Sequence, residues 1–207
     1  MKIVIFGSSG QAKETIDLIE ENNKGKIIGL IDKSPFKHKV LGYGFLGTDE
    51  QIGSIINKYK ATHFFVAIGD LKIRSKIYLS LKKILEPLSI VSKRANISKY
   101  AKLGEHVIVY PGVTVNADVV VGDNVYINSN ASIGHEAKIG NHVNINPGVS
   151  IAGKVIIDDF CILGIGAAIR ENLHIGENTT IGGGAMVTKD TIPNKTYVGI
   201  PAKILKK

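Results

Sequence analysis

The segment Ser132–Ile157 reads SIGHEAKIGNHVNINPGVSIAGKVII, and an aliphatic residue stands at every sixth position from Ile133 onward. A small or β-branched residue follows most of these aliphatic residues after four positions, where we expect it to let the chain turn a corner, and glycine often follows them directly. The spacing continues without a slip on both sides of the segment, through Ile97, Leu103, Val109, Val115, Val121, Ile127, Leu163, Ile169, Ile175, Ile181 and Val187. A period of six fits neither a helix nor a hairpin sheet, but it fits a parallel β-helix with three short faces per coil of eighteen residues. We therefore predict a left-handed β-helix whose aliphatic residues point inward and stack from coil to coil.

The residues before about position 93 follow a different pattern, in which short apolar runs alternate with segments of helical periodicity. Such alternation predicts a parallel sheet with helical crossovers. The predicted strands are Lys2–Phe6, Lys26–Ile31 and His63–Ile68, and the predicted helices are Gln11–Asn22, Thr48–Lys58 and Leu71–Leu85. We therefore divide the chain into an α/β, Rossmann-like domain over residues 1–92 and a β-helix domain over residues 93–207.

The composition, 44% hydrophobic and 21% charged residues among 207, is that of a globular protein. No apolar run approaches the roughly 20 residues of a membrane span, so we expect no membrane span. The first predicted strand begins at Lys2, so we also expect no signal peptide. The single cysteine, Cys161, excludes an intrachain disulfide and predicts a cytoplasmic protein. No Cys/His cluster has zinc-ligand spacing, so we expect no metal. The net charge of +8 is spread over scattered lysines without interleaved aromatic residues, so we expect no nucleic-acid partner.

Four motifs resemble those of the bacterial nucleotide-sugar acyltransferases of the hexapeptide-repeat superfamily. They are Gly7-Ser8-Ser9-Gly10-Gln11, Ala67-Ile68-Gly69-Asp70, His135-Glu136 and the terminal Val198-Gly199-Ile200-Pro201-Ala202-Lys203. The resemblance covers the whole chain and is to the sialic-acid O-acetyltransferase-like group, which includes N-acetyltransferases for nucleotide-linked 4-amino sugars. It implies acetyl-CoA as the acyl donor, a nucleotide-linked amino sugar as the acceptor and a role in surface-glycan biosynthesis. It also implies a homotrimer with active sites between neighbouring β-helices.

Acyl transfer to an amine or a hydroxyl needs a base, and histidine suits this because its ordinary pKa lies near neutral pH. His135 comes two residues after the inward Ile133, at a predicted corner, and Glu136 follows it. A carboxylate beside an imidazole orients the ring and raises its basicity. The resemblance implies that His135 is the base and Glu136 its partner. Composition alone leaves His142, also at a corner, as an alternative base.

The predicted acetyl-CoA contacts begin with Gly153, which lies eighteen residues after His135 and therefore stacks one coil above it. A glycine there lets a thioester approach the backbone amide closely. The resemblance implies that Ile165 and Gly183, again eighteen residues apart, line the groove for the pantetheine arm. Asn144 stands where related amino-sugar enzymes carry a second histidine, and we count it among the acetyl-CoA contacts. Its amide can donate and accept hydrogen bonds but cannot act as an acid or a base.

The turn between the first strand and the first helix offers backbone amides to a phosphate, at the carboxyl end of a parallel strand. The resemblance implies nucleotide-sugar contacts at Ser9, Gly10, Gln11, Asp32, Lys33 and Gly69. Asp32 would hold a ribose or base edge at the end of the second strand, with Lys33 beside it, and Gly69 would let the ligand approach closely. Related enzymes often have histidine in place of Gln11.

We predict an acetyl-CoA-dependent N-acetyltransferase that acts on the 4-amino group of a nucleotide-linked deoxy-amino sugar by direct transfer. Cys161 stands at a repeat position typical of a small packing residue, so no covalent intermediate is expected. Two alternatives remain open: a sugar O-acetyltransferase, acting on sialic acid or a polysaccharide precursor, and a β-helix binding module without catalysis. The sequence leaves the nucleotide open among UDP, GDP and dTDP.

Overall fold

The computed structural model describes residues 1–35 and 37–206 and divides the chain into two compact units. The first unit is Met1–Ile90, and the second begins at Val91. Each unit has its own hydrophobic core. None of the helices in the described part of the chain combines the length and the hydropathy that crossing a membrane would require.

The first unit is a parallel five-stranded sheet in the order β3-β2-β1-β4-β5. The strands are β1 Lys2–Phe6, β2 Lys26–Ile31, β3 Phe45–Gly47, β4 His63–Val66 and β5 Glu86–Pro87. The helices are α1 Gly10–Glu21, α2 Ile52–Tyr59 and α3 Leu71–Leu81, with a single 3-10 turn at Asp49–Gln51 before α2. Parallel pairing brings the carboxyl ends of β1, β2 and β4 to one edge of the sheet, where ligands bind in such folds.

The predicted Rossmann-like class is confirmed, and the differences lie at element ends and in two short strands. The strand β4 ends at Val66 rather than Ile68, and α3 ends at Leu81, where the backbone leaves the helix through a turn. The strands β3 and β5 were not predicted because three and two residues are too few to carry a periodicity. The β3 strand matters most, because the turn that follows it brings Asp49 to a cavity at the carboxyl edge of the sheet.

The second unit is a β-helix whose short strands pair in parallel in three sheets, except that its last strand pairs antiparallel with the strand before it. Sheet I contains β7 Asn96–Ile97, β10 Thr114–Val115, β13 Ser132–Ile133, β16 Ser150–Ile151, β19 Ala168–Ile169 and β22 Met186–Val187. Sheet II contains β8 Lys102–Leu103, β11 Val120–Val121, β14 Lys138–Ile139, β17 Ile156–Ile157 and β20 His174–Ile175. Sheet III contains β6 Ile90–Val91, β9 Ile108–Val109, β12 Tyr126–Ile127, β15 Asn144–Ile145, β18 Ile162–Leu163, β21 Thr180–Ile181, β23 Thr196–Val198 and β24 Lys203–Ile204.

The periodic aliphatic residues form the core of this unit, each as the second residue of its strand. Ile133 pairs with Val115 in the coil before and with Ile151 in the coil after, at the predicted spacing of eighteen. From Val109 to Val187 these side chains are buried, and burying each one stabilises the fold by about 1.5–3 kcal/mol relative to exposure. The predicted β-helix of hexapeptide repeats is thus confirmed.

The corners are built differently from the prediction, which assigned the turning of the chain to the small residues four positions after each aliphatic. Those residues, such as Val107 and Val143, point into the core and are fully buried. The chain turns at the residue before them, which has a positive φ in every hexapeptide from His106 to Gly184. Glycine directly after the aliphatic serves close packing: a Cβ on Gly134 would lie 2.5 Å from the carbonyl carbon of Ala152 in the next coil.

Candidate functional site

The His135 side chain lies at a corner between sheets I and II and is paired with its chain neighbour. Its Nδ1 is 2.9 Å from Oε2 of Glu136, although adjacent residues on a strand would point to opposite faces. The pairing is possible because Glu136 has a φ of 61°, in the left-handed region, which turns its side chain back toward the ring. The two side chains are 62% and 50% exposed, so a ligand can reach them from solvent.

The hydrogen bond to Glu136 determines which ring nitrogen of His135 can act as a base. A carboxylate only accepts hydrogen bonds, so Nδ1 of the neutral imidazole carries the proton that is donated to Glu136. The lone pair then lies on Nε2. Nε2 contacts no acceptor or donor within the described residues, and it is therefore available to take a proton from a substrate.

Gly153 lies directly against the His135 ring, one coil further on. A Cβ at this glycine would stand 2.6 Å from Nε2 and 2.8 Å from Cε1, so any side chain here would displace the imidazole. The N–H of Gly153 has no acceptor among residues 1–35 and 37–206. A backbone N–H without a protein acceptor, in a residue that lies against a basic ring, can stabilise an oxyanion during acyl transfer.

Lys154 adds a positive charge to this pair. Its Nζ is 3.8 Å from Oε2 of Glu136, the same oxygen that accepts from His135, and its backbone N–H donates to the His135 carbonyl at 2.9 Å. The ammonium group is half exposed, so solvent weakens its attraction to the carboxylate. Lys154 thus offers the Glu136 carboxylate a weak, solvent-screened partner.

His142, the alternative base, belongs to a buried ladder at a corner between sheets II and III. Its Nδ1 is 2.8 Å from Nδ2 of Asn124, whose Oδ1 is 2.9 Å from Nδ1 of His106. The His142 ring also stacks on Phe160 with the ring centroids 4.7 Å apart. His106 and Asn124 are fully buried and His142 is 8% exposed. The burial closes the His142 ring to a substrate, and the ladder ties successive coils together.

The remaining predicted acetyl-CoA contacts lie on other parts of the β-helix. Ile165 and Gly183 stack at a corner between sheets III and I, where the Gly184 N–H donates to the Ile165 carbonyl at 2.8 Å. The Ile165 side chain is 67% exposed there. Asn144 is half-buried on sheet III, between Tyr126 and Ile162. One copy of the chain therefore brings His135 together with Gly153, and Ile165 together with Gly183, but at two different corners that flank sheet I.

Cys161 lies inside the β-helix and not at the site. Its side chain is fully buried, and its Sγ donates to the carbonyl of Gly176 at 3.2 Å. Burial raises the pKa of the Cys161 thiol to about 11. A thiol in this state is uncharged near neutral pH and cannot serve as a nucleophile.

A cavity of about 280 Å³ lies at the carboxyl edge of the sheet in the first unit. Its polar lining is Ser8, Ser9, Asp32, Lys33 and Asp49. Its apolar lining is Phe6, Ile31, Ile68, Ile73 and Ile77, and Gly7 and Gly69 complete the wall. Apolar walls with a few placed polar groups are typical of small-ligand sites.

Gly7 and Asp32 shape this cavity. Gly7 has a φ of 105°, and a Cβ there would lie 2.6 Å from the Ala67 carbonyl oxygen, so only glycine lets β1 and β4 meet so closely. The Asp32 carboxylate accepts from the Ser8 hydroxyl at 2.6 Å and from the Ser34 N–H at 3.3 Å. The cavity edge thus holds a carboxylate that is already oriented.

The structure distributes the six predicted nucleotide-sugar residues unevenly around this cavity. Ser9, Asp32, Lys33 and Gly69 line it, whereas Gly10 and Gln11 do not. Gly10 begins α1 and Gln11 is half-buried in its first turn. A Cβ on Gly69 would meet nothing within 4 Å, so packing does not require a glycine at that position.

Sequence reasoning missed Ser8, Asp49 and Lys154. The coil spacing of eighteen would have placed Lys154 above Glu136, in the same way as it placed Gly153 above His135. Ser8 and Asp32 come together only because β1 pairs with β2, with Phe6 opposite Ile31. Asp49 reaches the cavity only because β3 joins the sheet, and no pattern in the sequence marks that strand.

Residues 2–81 match the family model of the PglD N-terminal domain, and residues 100–135 and 118–153 match the model of the bacterial transferase hexapeptide, which spans six repeats. A curated relative, the uncharacterized protein L142 of Acanthamoeba polyphaga mimivirus, is 31% identical over 123 residues. Those residues are 58% of this chain and 24% of that protein. The chain therefore spans about a quarter of the length of this curated relative.

Solved structures match both units together. PerB from Caulobacter crescentus, in complex with CoA and GDP-perosamine, is 30% identical with a TM-score of 0.93, over 100% of this chain and 98% of that one. WeeI from Acinetobacter baumannii AYE is 27% identical with a TM-score of 0.90, over 99% and 100%. The acetyltransferase domain of PglB from Neisseria gonorrhoeae FA1090, in complex with acetyl coenzyme A, is 25% identical with a TM-score of 0.88, over 99% and 98%.

Proposed function

We propose a function from one premise: the chain belongs to the hexapeptide-repeat family of nucleotide-sugar acetyltransferases. On that premise it transfers the acetyl group of acetyl-CoA to the 4-amino group of a nucleotide-linked deoxy-amino sugar, in the synthesis of surface glycans. The observation that carries the proposal is the open Nε2 of His135, whose ring is held by Glu136 and lies against Gly153, a residue whose backbone N–H has no acceptor in the described part of the chain. A similar protein, PerB, was solved with CoA and GDP-perosamine bound.

The reaction follows from the roles of these three residues. Nε2 of His135 takes a proton from the acceptor amine as its nitrogen attacks the thioester carbonyl carbon. A C–N bond forms, and the carbonyl oxygen becomes an oxyanion that accepts a hydrogen bond from Gly153. The intermediate collapses with cleavage of the C–S bond, and the departing CoA thiolate takes the proton back from the imidazolium. Glu136 stabilises the imidazolium between these two steps.

Direct transfer, without an acyl-enzyme, is supported by the state of the single cysteine. The Cys161 thiol is buried and uncharged, and it lies in the core rather than beside His135. We expect Cys161→Ala to keep most of the wild-type kcat, measured by thiol release from acetyl-CoA. A folded Cys161→Ala variant without activity would overturn direct transfer.

The acetyl-CoA site is proposed to lie between neighbouring copies in a homotrimer. His135 with Gly153 and Ile165 with Gly183 occupy different corners of one β-helix, so an elongated ligand must cross sheet I or bridge two copies to touch both. Cyclic association brings unlike corners of neighbouring copies together and also covers the exposed Ile165. Light scattering coupled to gel filtration should give three times the chain mass, and a monomeric active enzyme would contradict this arrangement.

The nucleotide part of the acceptor is proposed to bind in the cavity of the first unit. Its size suits the nucleoside end of the ligand, its polar groups lie at one edge, and the N-terminus of α1 offers amides to the diphosphate. Acetyl-CoA and nucleotide sugars are made in the cytoplasm, where a single buried thiol stays reduced, so we propose that location.

A panel assay tests the proposal. Thiol release from acetyl-CoA is followed with 4-amino nucleotide sugars, with nucleotide sugars lacking the amine, and with free sialic acid, and mass spectrometry locates the acetyl group. We expect turnover with the 4-amino compounds alone, and its loss in His135→Ala but not in the matched histidine variant His142→Ala. Turnover on hydroxyl acceptors would instead establish an O-acetyltransferase. No turnover with any acceptor would favour a binding module.

A further inference from the structure

Lys154 places a primary amine at the His135 corner, where the proposed reaction uses an amine as its acceptor. Its backbone N–H donates to the His135 carbonyl at 2.9 Å. Its Nζ lies 3.8 Å from Oε2 of Glu136, and the same oxygen lies 2.9 Å from Nδ1 of His135. The lysine amine and the imidazole of the proposed base are therefore neighbours on one carboxylate.

The coil geometry accounts for this arrangement and leaves the amine mobile. Lys154 lies eighteen residues after Glu136, and both have a φ of 61°, so the two residues stack at the same corner in successive coils. The Lys154 side chain is 53% exposed, and an exposed ion pair of this kind is weak. The flexible four-carbon chain can therefore leave Glu136 and carry Nζ toward a molecule bound at His135.

An acetyl thioester at this corner would lie within reach of that amine. Gly153, whose N–H is the proposed oxyanion donor, directly precedes Lys154 in the chain. An amine tethered beside a bound thioester reacts at a much higher effective concentration than one that meets acetyl-CoA by diffusion. Lys102, which is exposed on sheet II two coils before Lys138, is a lysine of the second kind.

We propose, on the basis of the function proposed above, that the enzyme acetylates its own Lys154 when acetyl-CoA is bound without a sugar acceptor. Nζ first loses its ammonium proton to solvent, and the neutral amine then attacks the thioester carbonyl carbon. A C–N bond forms and the C–S bond breaks. Nε2 of His135 takes one proton from the attacking nitrogen and passes it to the CoA thiolate, so the products are an acetylated lysine and free CoA.

The modification adjusts the rate of the enzyme without stopping it. Acetylation removes the positive charge that lies 3.8 Å from Oε2 of Glu136. The carboxylate still accepts the hydrogen bond from Nδ1 of His135. Because an exposed ion pair contributes little, we expect the acetylated enzyme to lose at most about fivefold in kcat. Lys154 thus lowers the rate when acetyl-CoA is in excess over the acceptor.

The test measures acetylation of individual lysines in the full-length protein. The protein is incubated with isotopically labelled acetyl-CoA, and peptide mass spectrometry follows the label at Lys154 and at Lys102 with time. We expect Lys154 to gain label at least about tenfold faster than Lys102, because its amine is held beside the bound thioester. An excess of a 4-amino nucleotide sugar should suppress the label at Lys154, and His135→Ala should reduce its labelling rate to that of Lys102.

Lys154→Arg and Lys102→Arg are the matched variants, since each keeps its charge but loses its amine nucleophile. Incubation with acetyl-CoA alone should lower the kcat of the wild type and of Lys102→Arg but not that of Lys154→Arg. Equal labelling of Lys154 and Lys102 in an enzyme that acetylates the sugar would overturn this inference and leave the acetyltransferase function standing. Unchanged labelling of Lys154 in folded His135→Ala would also overturn it. Absence of both preferential labelling and sugar turnover would overturn the inference together with the proposed function.

Discussion

Two kinds of corner in the same β-helix hold histidines with opposite properties. At a corner between sheets I and II, His135 is the second residue after an inward aliphatic, and its exposed ring leaves Nε2 open. At corners between sheets II and III, His106 and His142 are the third residue after theirs, have a positive φ, and are buried in a ladder with Asn124. A histidine at the second position after the aliphatic residue is exposed, as His135 is, and its ring can contact a ligand. A histidine at the third position, at the other corner, is buried and links successive coils by hydrogen bonds.

Substitution of His135 should give the largest effect and separate these two roles. His135→Ala removes the proposed base, and we expect kcat to fall by about 10²–10⁴-fold, the usual contribution of general acid–base catalysis. The melting temperature should barely change because the side chain is exposed. The measurement is thiol release from acetyl-CoA with a 4-amino nucleotide sugar, together with thermal unfolding.

His142→Ala should do the reverse. The variant loses the bond to Asn124 and the stacking on Phe160, so it should unfold more easily while its kcat stays near the wild-type value at a temperature where it is folded. If His142→Ala lost its activity while remaining folded, and His135→Ala kept it, the two corners would have been assigned the wrong way round.

Most of the fold could be predicted because burial of the β-helix core requires aliphatic residues at regular intervals along the sequence. Each inward aliphatic of the β-helix must lie on another one eighteen residues away, so position alone places Ile133 on Ile151. The strands β3 and β5 could not be predicted in this way. Each has only two or three residues, too few for a periodic pattern, and each forms because it pairs with a neighbouring strand of the sheet. The same limit hid Asp49, which β3 brings to the cavity.

The candidate site was predictable where it follows coil spacing and not where it depends on side-chain direction. Spacing places Gly153 next to His135. The hydrogen bond from His135 Nδ1 to Glu136 could not be predicted in this way, because it needs a left-handed backbone at Glu136. That conformation is usual for glycine and asparagine but not for glutamate. Spacing likewise joins Ile165 to Gly183, yet they turn out to lie at another corner from His135. The period of six predicts whether a residue lies in a strand or at a corner. Which of the three corners of the coil it occupies depends on its position within the eighteen residues of that coil.

Substitution of two glycines near His135, Gly153 and Gly134, should separate an effect on activity from an effect on stability. In Gly153→Ala the new Cβ would stand 2.6 Å from Nε2 of His135, the end of a movable side chain, so the ring shifts and the coil survives. Since small misplacements of a catalytic group cost up to about 100-fold, we expect kcat to fall by roughly 10–100-fold with little change in stability.

Gly134→Ala is the companion variant. Its Cβ would lie 2.5 Å from backbone atoms of Ala152 and Gly153, which cannot move without opening the coil. We expect it to lower the melting temperature strongly, as overpacking does, by about 1–3 kcal/mol in the free energy of unfolding. Equal stability loss in both variants would mean that Gly153 serves packing rather than the position of His135.

The buried ladder can be tested on stability alone. Asn124→Ala removes the hydrogen bonds to both His106 and His142, and we expect the free energy of unfolding to fall by about 2 kcal/mol or more. Part of that loss comes from placing alanine at a positive φ. Asn130→Ala is the control, because Asn130 has a φ of 60° at an exposed corner. Urea unfolding of the two variants gives the ladder contribution as their difference, and a difference near zero would make the ladder energetically neutral.

The smallest effect should come from substitution of Lys154, which tests whether the Glu136 carboxylate needs this ammonium group to stay in place beside His135. Lys154→Met keeps the length of the side chain but removes the charge 3.8 Å from Oε2 of Glu136. Exposed ion pairs contribute little, so we expect kcat to fall by at most about fivefold, with an unchanged KM for the acceptor. Lys154→Arg should restore the rate, and high salt should make the kcat values of the wild type and Lys154→Met more alike because it screens the ion pair.

A hundredfold loss of kcat in Lys154→Met would instead mean that the ammonium group contacts the reacting molecules. No loss at all would mean that the left-handed turn at Glu136 suffices to hold its carboxylate on His135.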